Sequence, residues 1–140
     1  MKLDVIDKSN YLKGLLVLIS KDNKISRAES DLVMTVSKTL GFDKEFTQEA
    51  LDTLLENEYI SQEPPKFNQR EIAFSFIKDG IKLAVSDLNF DIREIEYLKA
   101  TAEVNAISDE WLFNELNNAD FEAKSRLKNE AIQLEVEKYI

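Results

Sequence analysis

Asp22-Asn23-Lys24-Ile25-Ser26-Arg27-Ala28-Glu29 runs from a loop into a helix, and its pattern returns as Asp87-Leu88-Asn89-Phe90-Asp91-Ile92-Arg93-Glu94. In each copy an Asp stands in the loop and a Glu closes the first turn of the helix that follows. Working outward, an offset of 65 residues aligns Tyr11–Phe46 with Phe76–Trp111 without a gap. Lys13 then meets Lys78, Leu18 meets Leu83, Ile25 meets Phe90, Glu45 meets Glu110 and Phe46 meets Trp111. Self-similarity at a fixed offset is the mark of a duplicated structural unit.

The apolar residues around these segments recur at helical spacing. Leu12, Leu15, Leu16 and Ile19 form one stripe, Leu32, Val33, Val36 and Leu40 a second, and Phe46, Ala50, Leu54 and Leu55 a third. Ala73, Phe76, Ile77, Ile81 and Ala84 mark a fourth helix, Ile95, Leu98 and Ala102 a fifth, and Trp111, Leu112 and Leu116 a sixth. Ser26-x-x-Glu29, Asn68-x-x-Glu71 and Asp91-x-x-Glu94 have capping-box form or a close variant, and Gly41 suits the end of the second helix. Trp111 reads as a core anchor matched by Phe46. The expectation is an all-α fold, a compact helical bundle of two pseudo-symmetric three-helix repeats plus a C-terminal helix. Residues 1–140 make one domain, with repeat 1 over about 11–58, a Pro64-Pro65 connector over 59–68, repeat 2 over about 69–117 and a last helix over about 120–138. Asn117-Asn118-Ala119-Asp120 is either a break capped by Asp120 or part of one unbroken helix. The thin stripe Leu127, Ala131, Leu134, Tyr139 and Ile140 favours docking of that segment on its own domain.

Composition narrows the chemistry. A 44% hydrophobic and 32% charged chain is balanced for folding rather than disorder. Neither Cys nor His occurs, which excludes disulfides, thiolate or imidazole metal sites, and Ser-His-Asp or Cys-His catalysis. What remains is carboxylate chemistry, with 27 acids against 18 bases, suited to hard cations or cationic partners and poorly suited to nucleic acid. Residues 87–122 carry ten acids and only Arg93 and Lys99 as bases, −8 of the net charge of −9, and this stretch overlaps the second repeat. No apolar run approaches the roughly 20 residues of a membrane span, and the N-terminal residues do not read as a signal peptide, so a cytoplasmic address without membrane insertion is expected.

Two readings of the repeated carboxylates stand side by side. Asp87, Asn89, Asp91 and Glu94 supply oxygens at positions one, three, five and eight of a short loop, an arrangement that can wrap Ca²⁺, while Asp22 and Glu29 offer a poorer first copy with Lys24 at position three. The second copy is not an EF-hand, since Ile92 replaces the Gly at position six and Leu98 the Glu at position twelve. Alternatively Ser26 and Asp91 are helix caps, Glu29 and Glu94 complete capping boxes, and Asp22 and Asp87 are turn residues. The first reading gives a non-catalytic module binding Ca²⁺ or Mg²⁺ and a protein partner; the second gives a metal-free adaptor. A carboxylate-based, metal-assisted hydrolase ranks third, because no phosphate-cradling Gly loop or evident nucleophile accompanies the acids.

Leu12–Ile25 followed by Ser26-Arg27-Ala28-Glu29, and Ile77–Phe90 followed by Asp91-Ile92-Arg93-Glu94, resemble the TerB-like fold, the helical domain associated with tellurite-resistance gene clusters and also found in membrane-linked DnaJ-type co-chaperones. The resemblance covers about residues 11–115. It implies a helical bundle whose acidic residues bind a divalent metal, with no organic cofactor, acting in stress response through contacts with a protein partner. Position by position it points to Asp22, Glu29, Asp87 and Glu94, to which the loop spacing adds Asn89 and Asp91 as accessory oxygens. The family commonly has Gly after each Asp, where this chain has Asn23 and Leu88. Asn tolerates the left-handed conformation and Leu resists it, which points to a differently shaped second loop.

Overall fold

The computed structural model describes residues 3–57, 59–86, 91–125 and 134–139, the backbone alone for 120–125. Among the described residues the protein is all-helical, with no strand. The helices are α1 (Val5–Ile19), α2 (Arg27–Leu40), α3 (Lys44–Thr53), α4 (Arg70–Val85), α5 (Ile92–Val104) and α6 (Asp109–Ser125), with short 3₁₀ helices at Leu54–Glu56 and Glu135–Tyr139. No helix among these residues is long and apolar enough to cross a membrane.

Side-chain caps fix most of the starts. Asp4 accepts the Asp7 N–H at 2.7 Å, Asp43 the Glu45 N–H at 3.0 Å, Asp91 the Arg93 N–H at 2.8 Å and Ser108 the Trp111 N–H at 3.2 Å. Ser26 and Glu29 form a full capping box. α4 differs from expectation: its N-cap is Gln69, without a side-chain bond, because the Asn68 amide donates to Asp4 at 3.0 Å and ties the connector to α1 instead. α2 ends on Gly41 at φ +89°, where the Phe42 N–H returns to the Ser37 carbonyl and the Gly41 N–H to that of Lys38, the paired bonds of a Schellman turn.

The helix starts repeat with the offset found in the sequence: Val5 and Arg70, Arg27 and Ile92, Lys44 and Asp109. Within each trio the first helix packs on the second and the second on the third. Between trios α1 meets α4, α1 meets α5 and α2 meets α4, contacts that map onto one another when the trios are exchanged. α4 is the centre of the core, with Ile72, Ala73, Phe76, Ile77, Ile81 and Leu83 all buried. Each such large side chain contributes roughly 1.5–3 kcal/mol through apolar burial. α1 approaches α4 and the connector closely at Gly14, where a Cβ would lie 2.7 Å from the Phe76 ring and 2.9 Å from Pro65 Cγ.

Two expectations change, and of two open alternatives for residues 117–120 one is found. The buried face of α3 is Thr47 and Leu51, continued by Leu54 in the 3₁₀ turn, while Phe46 and Leu55 are exposed. Phe46 therefore stacks on Phe42 at the surface and is no counterpart of Trp111, which packs edge-on against Phe74 with centroids 4.6 Å apart. α6 runs unbroken through Asn117-Asn118-Ala119-Asp120 to Ser125. The terminal element is a 3₁₀ helix whose flanking Leu134 and internal Val136 are buried, whereas Leu127, Ala131 and Ile140 lie outside the described residues. That element is held by Asp79, which is fully buried on α4: its carboxylate accepts the N–H groups of Glu135 at 2.6 Å and Val136 at 3.0 Å and the Tyr11 hydroxyl at 2.7 Å.

Candidate metal centre

The first loop is shaped by its own backbone. α1 closes at Ser20, Asn23 turns at φ +60° as the left-handed position expected of it, and Asp22 accepts the Lys24 N–H at 3.1 Å in an Asx turn. The chain then enters α2 through the capping box, in which the Ser26 N–H donates to Glu29 Oε1 at 2.9 Å and the Glu29 N–H to Ser26 Oγ at 3.1 Å. This folds the Glu29 side chain back over the helix end, where it is 2% exposed.

The second copy differs from the expected capping box, because the Asp91 side chain caps the N–H of Arg93 and not that of Glu94. Asp91 caps the Arg93 N–H and also grips the guanidinium, with Nε at 3.0 Å from Oδ1 and Nη2 at 2.9 Å from Oδ2, so both its oxygens are engaged. The Asp91 N–H donates to the Glu94 carboxylate, as Ser26 does to Glu29. Glu94 is 1% exposed, and its Oε2 has no hydrogen-bond partner among the described residues.

The two units bring these glutamates into electrostatic reach of each other. Burial, then the charges of Glu29, Asp22 and Asp91, push the Glu94 carboxyl up to about 8. Arg93 is the compensating cation, and its guanidinium is held protonated first by Asp91 and then by the fields of Asp22 and Glu94. Of the expected ligands, Glu29, Glu94 and Asp22 thus share one region, Asp91 faces Arg93, and Asp87 and Asn89 lie outside the described residues. Among the described residues no group of three or more carboxylates is close enough to hold a metal ion. The donor chemistry nevertheless fits a hard cation: two buried carboxylates, one with an oxygen that has no partner among the described residues. A bound Ca²⁺ or Mg²⁺ would supply positive charge that neutralises this pair; Glu29 and Glu94 would hold it, within the field of Asp22.

Sequence reasoning missed Asp79 and Tyr97. Ile72, Phe76, Asp79 and Leu83 share the buried stripe of α4, and a charge on such a stripe is the signal that could have found Asp79. Tyr97 gave none, since an aromatic beside Leu98 reads as ordinary core. A scan against protein-family models, a search of the curated proteins and a search of the solved structures each find no match to this chain.

Proposed function

We propose that this protein is a non-catalytic, TerB-like binding module. In this reading it takes Ca²⁺ or Mg²⁺ where its two repeats meet, and it engages a protein partner through its acidic surface in a stress-response setting. The observation that carries the reading is the Oε2 of Glu94, buried within the field of Glu29 and without a hydrogen-bond partner among the described residues. An unsatisfied buried carboxylate oxygen costs free energy that a cation would recover. The arrangement of two equivalent units is supported by the coincident helix starts and by contacts that exchange with the trios. The resemblance, which rests on Asp22, Glu29, Asp87 and Glu94, supplies the class of ligand.

A metal-free adaptor is the second reading. It is favoured by the capping bonds, which already employ one oxygen of each glutamate. Thermal unfolding in chelator, in excess Ca²⁺ and in excess Mg²⁺ separates the two. An ion at a hundredfold its dissociation constant adds roughly 2.7 kcal/mol, or several degrees for a chain of this size. That gain should vanish in Glu94→Gln and shrink in Asp22→Asn and Asp87→Asn. Equal melting temperatures in all three buffers would rule out the cation and leave the adaptor.

A further inference from the structure

The two repeats differ in what covers their third helix. α6 packs on both α4 and α5, whereas α3 leans chiefly on α2 and the 3₁₀ turn that follows it. In the second repeat Ile107 and Leu112 are buried and Trp111 lies against Phe74. In the first repeat the aromatic residues of the same corner stay at the surface: Phe46 is exposed, Phe42 is half-buried, and their rings stack with centroids 6.1 Å apart. Beside them a groove of about 400 Å³ opens between α2 and α3, with Met34 and Phe42 as its apolar lining. Exposed apolar surface gathered around Met and Phe has the composition of an interface core.

Charge indicates what fits there. Lys38 and Lys44 are the charged residues that line the groove. The neighbouring Asp43 is engaged in capping α3, and Glu45 does not line it. The offset of 65 residues sets these lysines against Glu103 and Asp109, so the same corner of the second repeat has the opposite charge. There Asp109, Glu110 and Phe113 stand exposed at the start of α6, and their spacing of three and four residues puts the ring on the face of both acids. None of Lys38, Lys44, Asp109 and Glu110 has an ion pair among the described residues. One chain therefore carries an apolar groove rimmed by cations and an aromatic knob flanked by anions, on different three-helix units.

We infer that copies of this chain associate head to tail, Phe113 of one copy entering the α2–α3 groove of the next while Asp109 and Glu110 meet Lys38 and Lys44. The two faces differ, so the contact is heterologous, and each added copy presents a further groove and knob from which rings or open chains extend. The net charge of −9 opposes close approach of copies, which makes the association weak and transient rather than obligate. The inference is independent of the cation reading, since none of these residues is a candidate ligand there.

Sedimentation velocity of the intact chain tests it, at concentrations from roughly 10 µM to 1 mM, the range of weak encounters. The weight-average mass should rise with concentration. The double variants Lys38→Glu with Lys44→Glu, and Asp109→Lys with Glu110→Lys, set like charges against each other and should each weaken association at least about ten-fold. An equimolar mixture of the two should associate again, because the first retains the acidic knob and the second the basic groove. Phe113→Ala alters no charge, lies at an exposed position, and should weaken association as well, which serves should a charge variant misfold. A monomer throughout the range would overturn the inference and leave the groove to a partner of another kind. Undiminished association in either double variant, or a mixture that stays monomeric, would place the contact elsewhere and overturn it too.

Discussion

Replacing Glu94 by Gln should flatten the pH dependence of stability in the metal-free protein. Burial and the Glu29 charge hold the Glu94 carboxyl at about 8 in the folded state, against the ordinary 4.5. Below the ordinary value the group is protonated in both states and costs nothing. Between the two values the unfolded chain ionises and the folded one does not, so stability falls as pH rises; above about 8 the full cost of the buried charge is present. At 1.36 kcal/mol per pH unit the gap amounts to roughly 4–5 kcal/mol, and relaxation of the loops brings the expectation to about 2–4 kcal/mol. For a chain of this length that is a fall in Tm of roughly 5–12 °C between about pH 5 and pH 8. Gln has the same shape, keeps an oxygen for the Asp91 N–H and cannot ionise. Asp79, raised by burial to about 6, slopes in the same direction between its ordinary 3.8 and that value, so the informative quantity is wild type minus variant. The assay is urea or thermal unfolding in chelator across that range. Parallel curves for the two proteins would show that Glu94 does not titrate abnormally, and the electrostatic pairing with Glu29 would have to be abandoned.

Two further substitutions probe the frame that carries the sites. Asn105→Ala removes the acceptor of the Phe67 N–H at 3.0 Å and the donor to the Pro65 and Thr101 carbonyls at 2.8 and 2.9 Å, stranding buried backbone groups of the connector. It should cost roughly 2–4 kcal/mol in urea unfolding and speed amide exchange at Phe67; a loss under about 1 kcal/mol would mean that water replaces the side chain. Ala106 ends α5 at φ +57°, a conformation disfavoured for a residue with a Cβ, so Ala106→Gly should raise stability by about 0.5–1 kcal/mol, and a lower Tm would contradict the strain argument.

Most of the frame was legible because it depends on local chemistry. Ser26, Glu29, Asp91 and Gly41 act on backbone groups within a turn of themselves, so their spacing states their job. The face of α3 was misread because hydropathy values Phe46 above Thr47. Thr47 is buried because its hydroxyl pairs with Ser37 and reaches the Asp43 carbonyl, satisfying it in a way no hydropathy value records. Asn68 was misread for a related reason: Asp4, distant in sequence, competes successfully for its amide. Asp79, Asn105 and Tyr97 depend on segments that return from far along the chain, and an isolated window does not reveal them.

The repeat explains why a charge problem arises at all. A lone capping box places its Glu at a helix N-terminus, where the exposed N–H groups and the helix dipole stabilise the anion, and nothing further is required. The second copy of the pattern supplies a second such Glu, and Glu29 and Glu94 lie within electrostatic reach of each other. Two anions that are each favourable in their own unit then repel in a region of low dielectric, where a separation of a few ångströms matters far more than in water. Arg93 offsets part of this but is committed to Asp91, and a proton on Glu94 relieves the repulsion further. Proton and cation compete for the same oxygens, and any affinity for Ca²⁺ or Mg²⁺ should therefore rise with pH through the window in which Glu94 ionises.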